Sequence, residues 1–208
     1  MKLSKRSTMK KVPLTLAALT LATTLLAASA VLAGETGRSC DERGMFIGLN
    51  AGFGGSALDY REGTKSISEE ALGGALGGLR FGYAFNDRLA LSLEMIGFGR
   101  TEDDDDDDWS LGAGLVALTW HPRGSGFFIR GGFGAGGGDF IDPDTDELIT
   151  IRNRAAFLFG VGYDWRLSDG FSLGLASDAF GMSAGRATGH EEDAVGAAGL
   201  TIQCTWRL

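Results

Sequence analysis

Few side chains in this 208-residue chain have types and spacings that could do chemistry. His190 is followed by Glu191, Glu192 and Asp193, and Ser183 lies upstream. A serine, a histidine and an acid are the parts of a hydrolytic triad, and a histidine among carboxylates is part of a metal site. One histidine is too small a ligand set, however, and no spacing singles out Ser183 as a nucleophile. No catalytic, cofactor or metal residue is therefore assigned, and no enzymatic activity is expected. The other histidine, His121, stands beside Pro122 at the end of an apolar segment and is expected at an interface. Cys40 and Cys204 could form a disulfide only if their Cα atoms approach within about 7 Å; that pairing stays open.

Two acidic runs invite a cation. Glu102 precedes six aspartates, Asp103 to Asp108, and a second set comprises Asp139, Asp142, Asp144, Asp146 and Glu147. Carboxylate oxygens suit hard cations such as Ca²⁺. The alternation at 142, 144 and 146 faintly resembles a calcium loop but lacks its sixth-position glycine and distal glutamate. Divalent-cation binding and a solvated, self-repelling charge run both remain open readings. Six further charges, Arg80, Glu94, Arg130, Asp164, Asp178 and Arg207, sit inside apolar segments. What they do depends on the elements that carry them.

Composition narrows those elements. The chain has 34 glycines and 3 prolines, where average usage gives roughly 15 glycines in this length. No G-X-Y period exists, so collagen is excluded, and glycine at this density opposes long helices. Before Gly34 there are five basic residues, no acid and no glycine. Lys2 to Lys11 form a positive region, Val12 to Ala28 an apolar one, and Ala28-Ser29-Ala30 and Val31-Leu32-Ala33 both offer a cleavage site. This is the pattern of a secretory signal over 1–33. The rest has 14 bases against 27 acids, a net charge of −13. A nucleic-acid partner is not expected, because phosphate binding needs a basic stripe.

Beyond the signal the pattern is alternation, with period 2. Eight segments are expected as strands: 45–53, 72–85, 88–99, 109–121, 126–137, 153–166, 170–182 and 194–208. Each is about as long as a membrane β-strand, which needs about 9–11 residues. In 109–121 the parity is ambiguous, since Val116, Leu118 and Trp120 share one face while Leu111 and Leu115 share the other. The glycine-rich run from Gly131 to Gly138 lies within a strand segment and so is not a phosphate-binding loop. Asn86-Asp87, Pro122 to Ser125 and Ser168 to Gly170 are tight connections; the long polar stretches fall near 55–71, 100–108, 138–152 and 183–193. Short turns on one side and long loops on the other are the asymmetry of outer-membrane barrels.

Sidedness follows from composition. One face carries Phe, Leu, Ile and Val, with Tyr83, Phe85, Trp120, Tyr163, Trp165 and Trp206 near the short-turn ends, and should meet lipid. The other is mainly Gly, Ala and Ser with the six charges, and should fill a narrow lumen. Cross-lumen pairs Arg80–Glu94 and Arg130–Asp164 are expected, because an isolated buried charge is costly.

Residues 44–208 resemble the outer membrane protein β-barrel domain family, with eight strands like the transmembrane domain of outer-membrane protein A. The resemblance rests on the signal, the strand count, the loop asymmetry and the last strand, Leu200 to Leu208. Family members usually end in an aromatic; here the last residue is Leu208 and the aromatic is Trp206. The resemblance implies an all-β, eight-stranded antiparallel up-and-down transmembrane barrel (44–208), after a cleaved signal (1–33) and a periplasmic tail (34–43). It implies a monomer in a Gram-negative-type outer membrane with periplasmic termini, inserted by the barrel assembly machinery and surrounded by outer-membrane lipid and lipopolysaccharide. The expected role is structural or a surface interaction through acidic external loops. A narrow or gated small-solute channel is the alternative, and a lipid-modifying enzyme a distant third.

Overall fold

The computed structural model describes residues 43–62, 65–68, 72–100, 109–122, 125–141, 148–183 and 194–208. The signal, Cys40, His190 and the runs 102–108 and 142–147 lie outside the described residues. Nine strands follow in chain order: β1 (Gly44–Glu62), β2 (Lys65–Ser68), β3 (Leu72–Ala84), β4 (Leu89–Arg100), β5 (Trp109–Trp120), β6 (Phe127–Ile141), β7 (Leu148–Ser168), β8 (Phe171–Ser183) and β9 (Ala194–Arg207). Among the described residues every neighbouring pair is antiparallel, and β9 pairs with β1 from Phe46↔Arg207 to Asp59↔Ala194. Leu208 continues the seam by donating its N–H to the Met45 carbonyl at 2.9 Å. β2 pairs with the upper end of β1 alone, so eight strands close the barrel. Closure removes both sheet edges, whose unpaired backbone groups would otherwise have to be hydrated.

The register sets the barrel's width. Following paired residues once around, Gly48, Arg80, Glu94, Leu115, Gly134, Ala156, Met182 and Val195 lead back to Leu58 on β1. The circuit returns ten residues above its start, 58 against 48. A stagger of ten over eight strands tilts them by about 40° and puts the backbone at a radius of about 8 Å. That interior is only wide enough for side chains.

Three connections are short, as the sequence suggests. At the first, Asn86 rather than an Asn-Asp pair organises the turn: its side-chain oxygen accepts N–H groups from Arg88 (2.8 Å) and Leu89 (2.9 Å). A short polar side chain that mimics a backbone turn explains the preference for Asn here. At the second, Ser125 bonds the Pro122 carbonyl through both its N–H (3.1 Å) and its hydroxyl (2.8 Å).

Two stretches expected as loops are partly strand. The polar stretch 55–71 continues β1 to Glu62 and folds back as β2, and the stretch 138–152 is largely taken up by β6 and β7. Polarity misled here because a strand can continue its backbone pairing where no apolar face is needed. A bulge in β7 also changes a parity that alternation alone would carry through. Gly136 pairs with Arg154 but Gly138 with Ile151, so Arg152 and Asn153 oppose Gly137 alone. Asn153 takes φ 51°, the left-handed region, where Asn is tolerated better than most residues. The extra residue turns Ile151 inward, where it is buried. Asn153→Val should therefore destabilise the barrel by about 1–2 kcal/mol, while Asn153→Gly should be neutral or stabilising. Urea unfolding in lipid vesicles distinguishes the two; equal midpoints would reject the bulge's role.

Candidate functional site: a two-storey lumen

Alternation sends one side chain in two into the 8 Å cylinder, and those side chains fall into two storeys. The storey nearer the short turns is polar. Its centre is Arg130 on β6, fully buried, whose Nη2 donates to Asp178 Oδ1 on β8 and whose Nη1 lies 3.5 Å from Glu94 Oε2 on β4. Asp178 Oδ2 accepts from the Thr201 hydroxyl (2.9 Å) and the Asn50 amide (3.5 Å). Glu94 Oε1 accepts from the Ser92 hydroxyl at 2.8 Å. The Arg130 guanidinium carbon also lies 5.7 Å from the centre of the buried Phe128 ring. Nearer the turns, Gln203 donates to Asp164 at 2.6 Å and Arg80 to the Thr205 hydroxyl at 3.0 Å. His121 packs its ring 5.8 Å from that of Phe128.

Glycines decide which of these groups can meet. Gly160 on β7 pairs with Arg130 on one side and Asp178 on the other, so the ion pair spans a strand without a side chain. A Cβ on Gly160 would stand 2.3 Å from Asp178 Oδ1. Gly174 likewise separates Asp164 from Gln203, and Gly48 separates Arg80 from Thr205. Three of the polar bridges thus cross over a glycine on the intervening strand.

This geometry corrects both expected ion pairs. Arg80 and Glu94 are register partners, as their distances from the turn imply, yet Arg80 reaches the other way, over Gly48 to Thr205, and Glu94 pairs with Arg130. Arg130 pairs with Asp178 rather than Asp164. The feature that marks the Arg130–Asp178 pair is the glycine on the strand between them, Gly160, which only the register reveals.

The other storey, toward the long-loop end, is apolar, which composition did not suggest. Leu76, Ile96, Phe98, Leu111, Leu158 and Phe180 point inward and are buried, as do Leu115, Met182 and Val195. The parity of β5 is resolved accordingly: Leu111 and Leu115 face the lumen, and Val116, Leu118 and Trp120 face outward. Inward glycines seat the large rings here too; a Cβ on Gly74 would meet the Phe98 ring at 2.5 Å. The outward face has the expected large apolar residues, among them Leu93, Met95, Phe133 and Ile202. Around the short-turn end, outward aromatics associate in pairs: Tyr83 with Phe85 (centroids 5.6 Å apart), Tyr163 with Trp165 (5.2 Å) and Phe171 with Trp206 (5.4 Å). Cys204 shares this outward parity and has no disulfide partner among the described residues.

Against solved structures the chain resembles Neisserial surface protein A, with a TM-score of 0.51 and 11% identity over 79% of this chain and 97% of that one. It has the fold of an eight-stranded outer-membrane β-barrel. Two further similarities are to Ail, the attachment invasion locus protein of Yersinia pestis (TM-score 0.48, 15% identity, 79% of this chain and 99% of that one), and to OprG of Pseudomonas aeruginosa (0.44, 16%, 83% and 99%). No family model matches the chain, and no curated protein matches it in sequence.

A lumen so filled can hold the barrel's shape. Removing Arg130 would leave Asp178 and Glu94 buried without their shared cation, and breaking a buried pair in this way costs about 3–5 kcal/mol. Arg130→Ala should lose that much in urea unfolding, and Gly160→Ala a large part of it, because its methyl displaces Asp178. A loss under about 1 kcal/mol for Arg130→Ala would show that the cluster is not a structural plug.

Proposed function

We propose that the chain is an integral outer-membrane β-barrel whose role is structural or lies in surface contacts made by its acidic external loops. The observation that carries this reading is the sidedness of the closed barrel. Large apolar side chains point away from the axis, Leu93 and Ile202 being 63% and 59% exposed, while Arg130 and Asp178 are wholly buried. A water-soluble barrel built this way would expose its grease and bury its charges. In hydrocarbon the same arrangement is favourable, because closure satisfies the backbone and the apolar face matches the acyl chains. Short turns and both chain ends then face the periplasm, and the long loops face outward. The partners proposed are outer-membrane lipid, lipopolysaccharide and the barrel assembly machinery, with divalent cations at the acidic loops. The barrel acts as a monomer, and its role is not catalytic.

A gated small-solute channel is the second reading, and the charged Glu94–Arg130–Asp178 network is what favours it. Opening would require those pairs to part and also the apolar storey above them to hydrate. Eight-stranded interiors are filled by side chains rather than water, so the structural reading is preferred.

The reading is tested by fractionating an expressing Gram-negative host. The protein is expected in the outer-membrane fraction, with gel migration that shifts on boiling; recovery in the soluble periplasmic extract would overturn it. In planar bilayers, the protein and its Glu94→Ala variant should both be non-conducting, since the apolar storey remains when the ion network is cut. Steady conductance by the unmodified protein would favour the channel.

A further inference from the structure

On six of the eight staves, β3, β4, β5, β7, β8 and β9, the side that holds the larger apolar residues changes part-way up; on β1 and β6 the described inward positions at that height are Gly and Ser. On β7, Phe157, Phe159, Tyr163 and Trp165 point outward; one outward step above Phe157 is Ala155. On β4, Met95 is the last large outward residue, followed by Gly97 and Gly99, while the inward residues at that height are Ile96 and Phe98. On β8 the outward positions above Leu175 are Ser177, Ala179, Gly181 and Ser183, and the inward ones include Phe180 and Met182. The upper wall therefore has a greasy interior and a small, partly polar exterior, which is the sidedness of a barrel in water. The lower wall has large apolar residues outside and, apart from the buried Phe46 and Phe128, mainly small and polar residues inside.

The change is bounded by aromatics. Phe53, Phe133 and Phe157 are exposed, by 82%, 66% and 65%. Allowing for the climb of ten residues in eight strand steps, they lie within about two residues of one height. From Phe157 down to Trp165 is eight residues on a single strand. At an axial rise of about 2.5 Å per tilted residue this is about 20 Å, close to the roughly 25 Å apolar band of outer-membrane barrels, which has aromatic girdles at both interfaces. Apolar burial inside a barrel is driven by water and has no such drive in hydrocarbon. The level at which it begins is where water begins.

We infer that the hydrocarbon ends at the Phe53–Phe133–Phe157 rim, and that the wall above it stands in the polar head-group layer and water as an exposed surface of mainly small and polar residues, with Leu148 at its top the large apolar exception. The inference rests on the membrane-spanning reading above. It makes the upper wall, and not only the loops, available to head-group saccharides and phosphates of the outer leaflet. It also makes the apolar upper storey a water-excluding core of soluble type.

The test uses three glycines whose added Cβ would have nothing within 4 Å: Gly73 and Gly99 above the rim, and Gly131 below it, between Ile129 and Phe133. Each is changed to cysteine in a Cys40→Ser, Cys204→Ser background. Each is folded into phosphatidylcholine nanodiscs, open to reagent on both sides, and exposed to a charged maleimide. Thiols in hydrocarbon do not ionise and react slowly. Gly73→Cys and Gly99→Cys are expected to label more than about tenfold faster than Gly131→Cys. Protection of all three would overturn the inference and leave the membrane-spanning reading standing. Labelling of Gly131→Cys as fast as the others would remove both. Retention of heat-modifiable migration confirms folding of each variant, and Ser183→Cys (above) and Leu93→Cys (below) replace any that fails it.

Discussion

The interior of this barrel is one side chain wide, and every other feature depends on that width. A stagger of ten residues around eight strands fixes the radius at about 8 Å, so large side chains that point inward crowd the positions around them. Glycine resolves the crowding at specific partners. Phe46 pairs with Gly82, Phe128 with Gly162 and Arg130 with Gly160. A methyl at Gly82 or Gly162 would lie 2.5 Å from the ring atoms of Phe46 or Phe128. Inward glycines such as Gly82, Gly160 and Gly162 are thus a consequence of packing, and they let strands two apart communicate across the one between them.

Charge in such a space is tolerable only when it is balanced and bonded. Taking an ion out of water costs several kcal/mol even after relaxation, and the attraction within a pair repays this only with good geometry and further hydrogen bonds. Both Asp178 oxygens are engaged, one by Arg130 and the other by Thr201 and Asn50. Glu94 is held between Arg130 and Ser92. The network ties β1, β4, β6, β8 and β9 together across the axis, resisting collapse or ovalisation of a cylinder that has no sheet packed against it.

The apolar storey above performs the same filling by different chemistry. Leu76, Phe98, Leu111 and Phe180 are each nearly inaccessible, and fully burying a side chain of this kind away from water is worth about 1.5–3 kcal/mol. Salt-paired charges hold one half of the interior and water-driven burial holds the other. A continuous water path would have to breach both.

Alternation in segments such as Met45–Phe53 and Phe157–Trp165 determined, without any coordinates, that the chain forms long antiparallel strands with one greasy face, because a period of two has a single structural meaning. The short-turn residues at 86–87, 122–125 and 168–170 were equally legible, since their chemistry is local. The six inward charges were also identified correctly, but not their partners. Partnership depends on register accumulated around the ring and on which strand between two side chains carries a glycine, and neither is a property of any one segment. Tertiary structure alone decided the inward turn of Ile151, through one left-handed Asn153, and the division of the lumen into storeys. A leucine at an inward position looks the same in sequence whether the wall around it faces lipid or water; its height along the closed barrel exists only once all eight strands are in place.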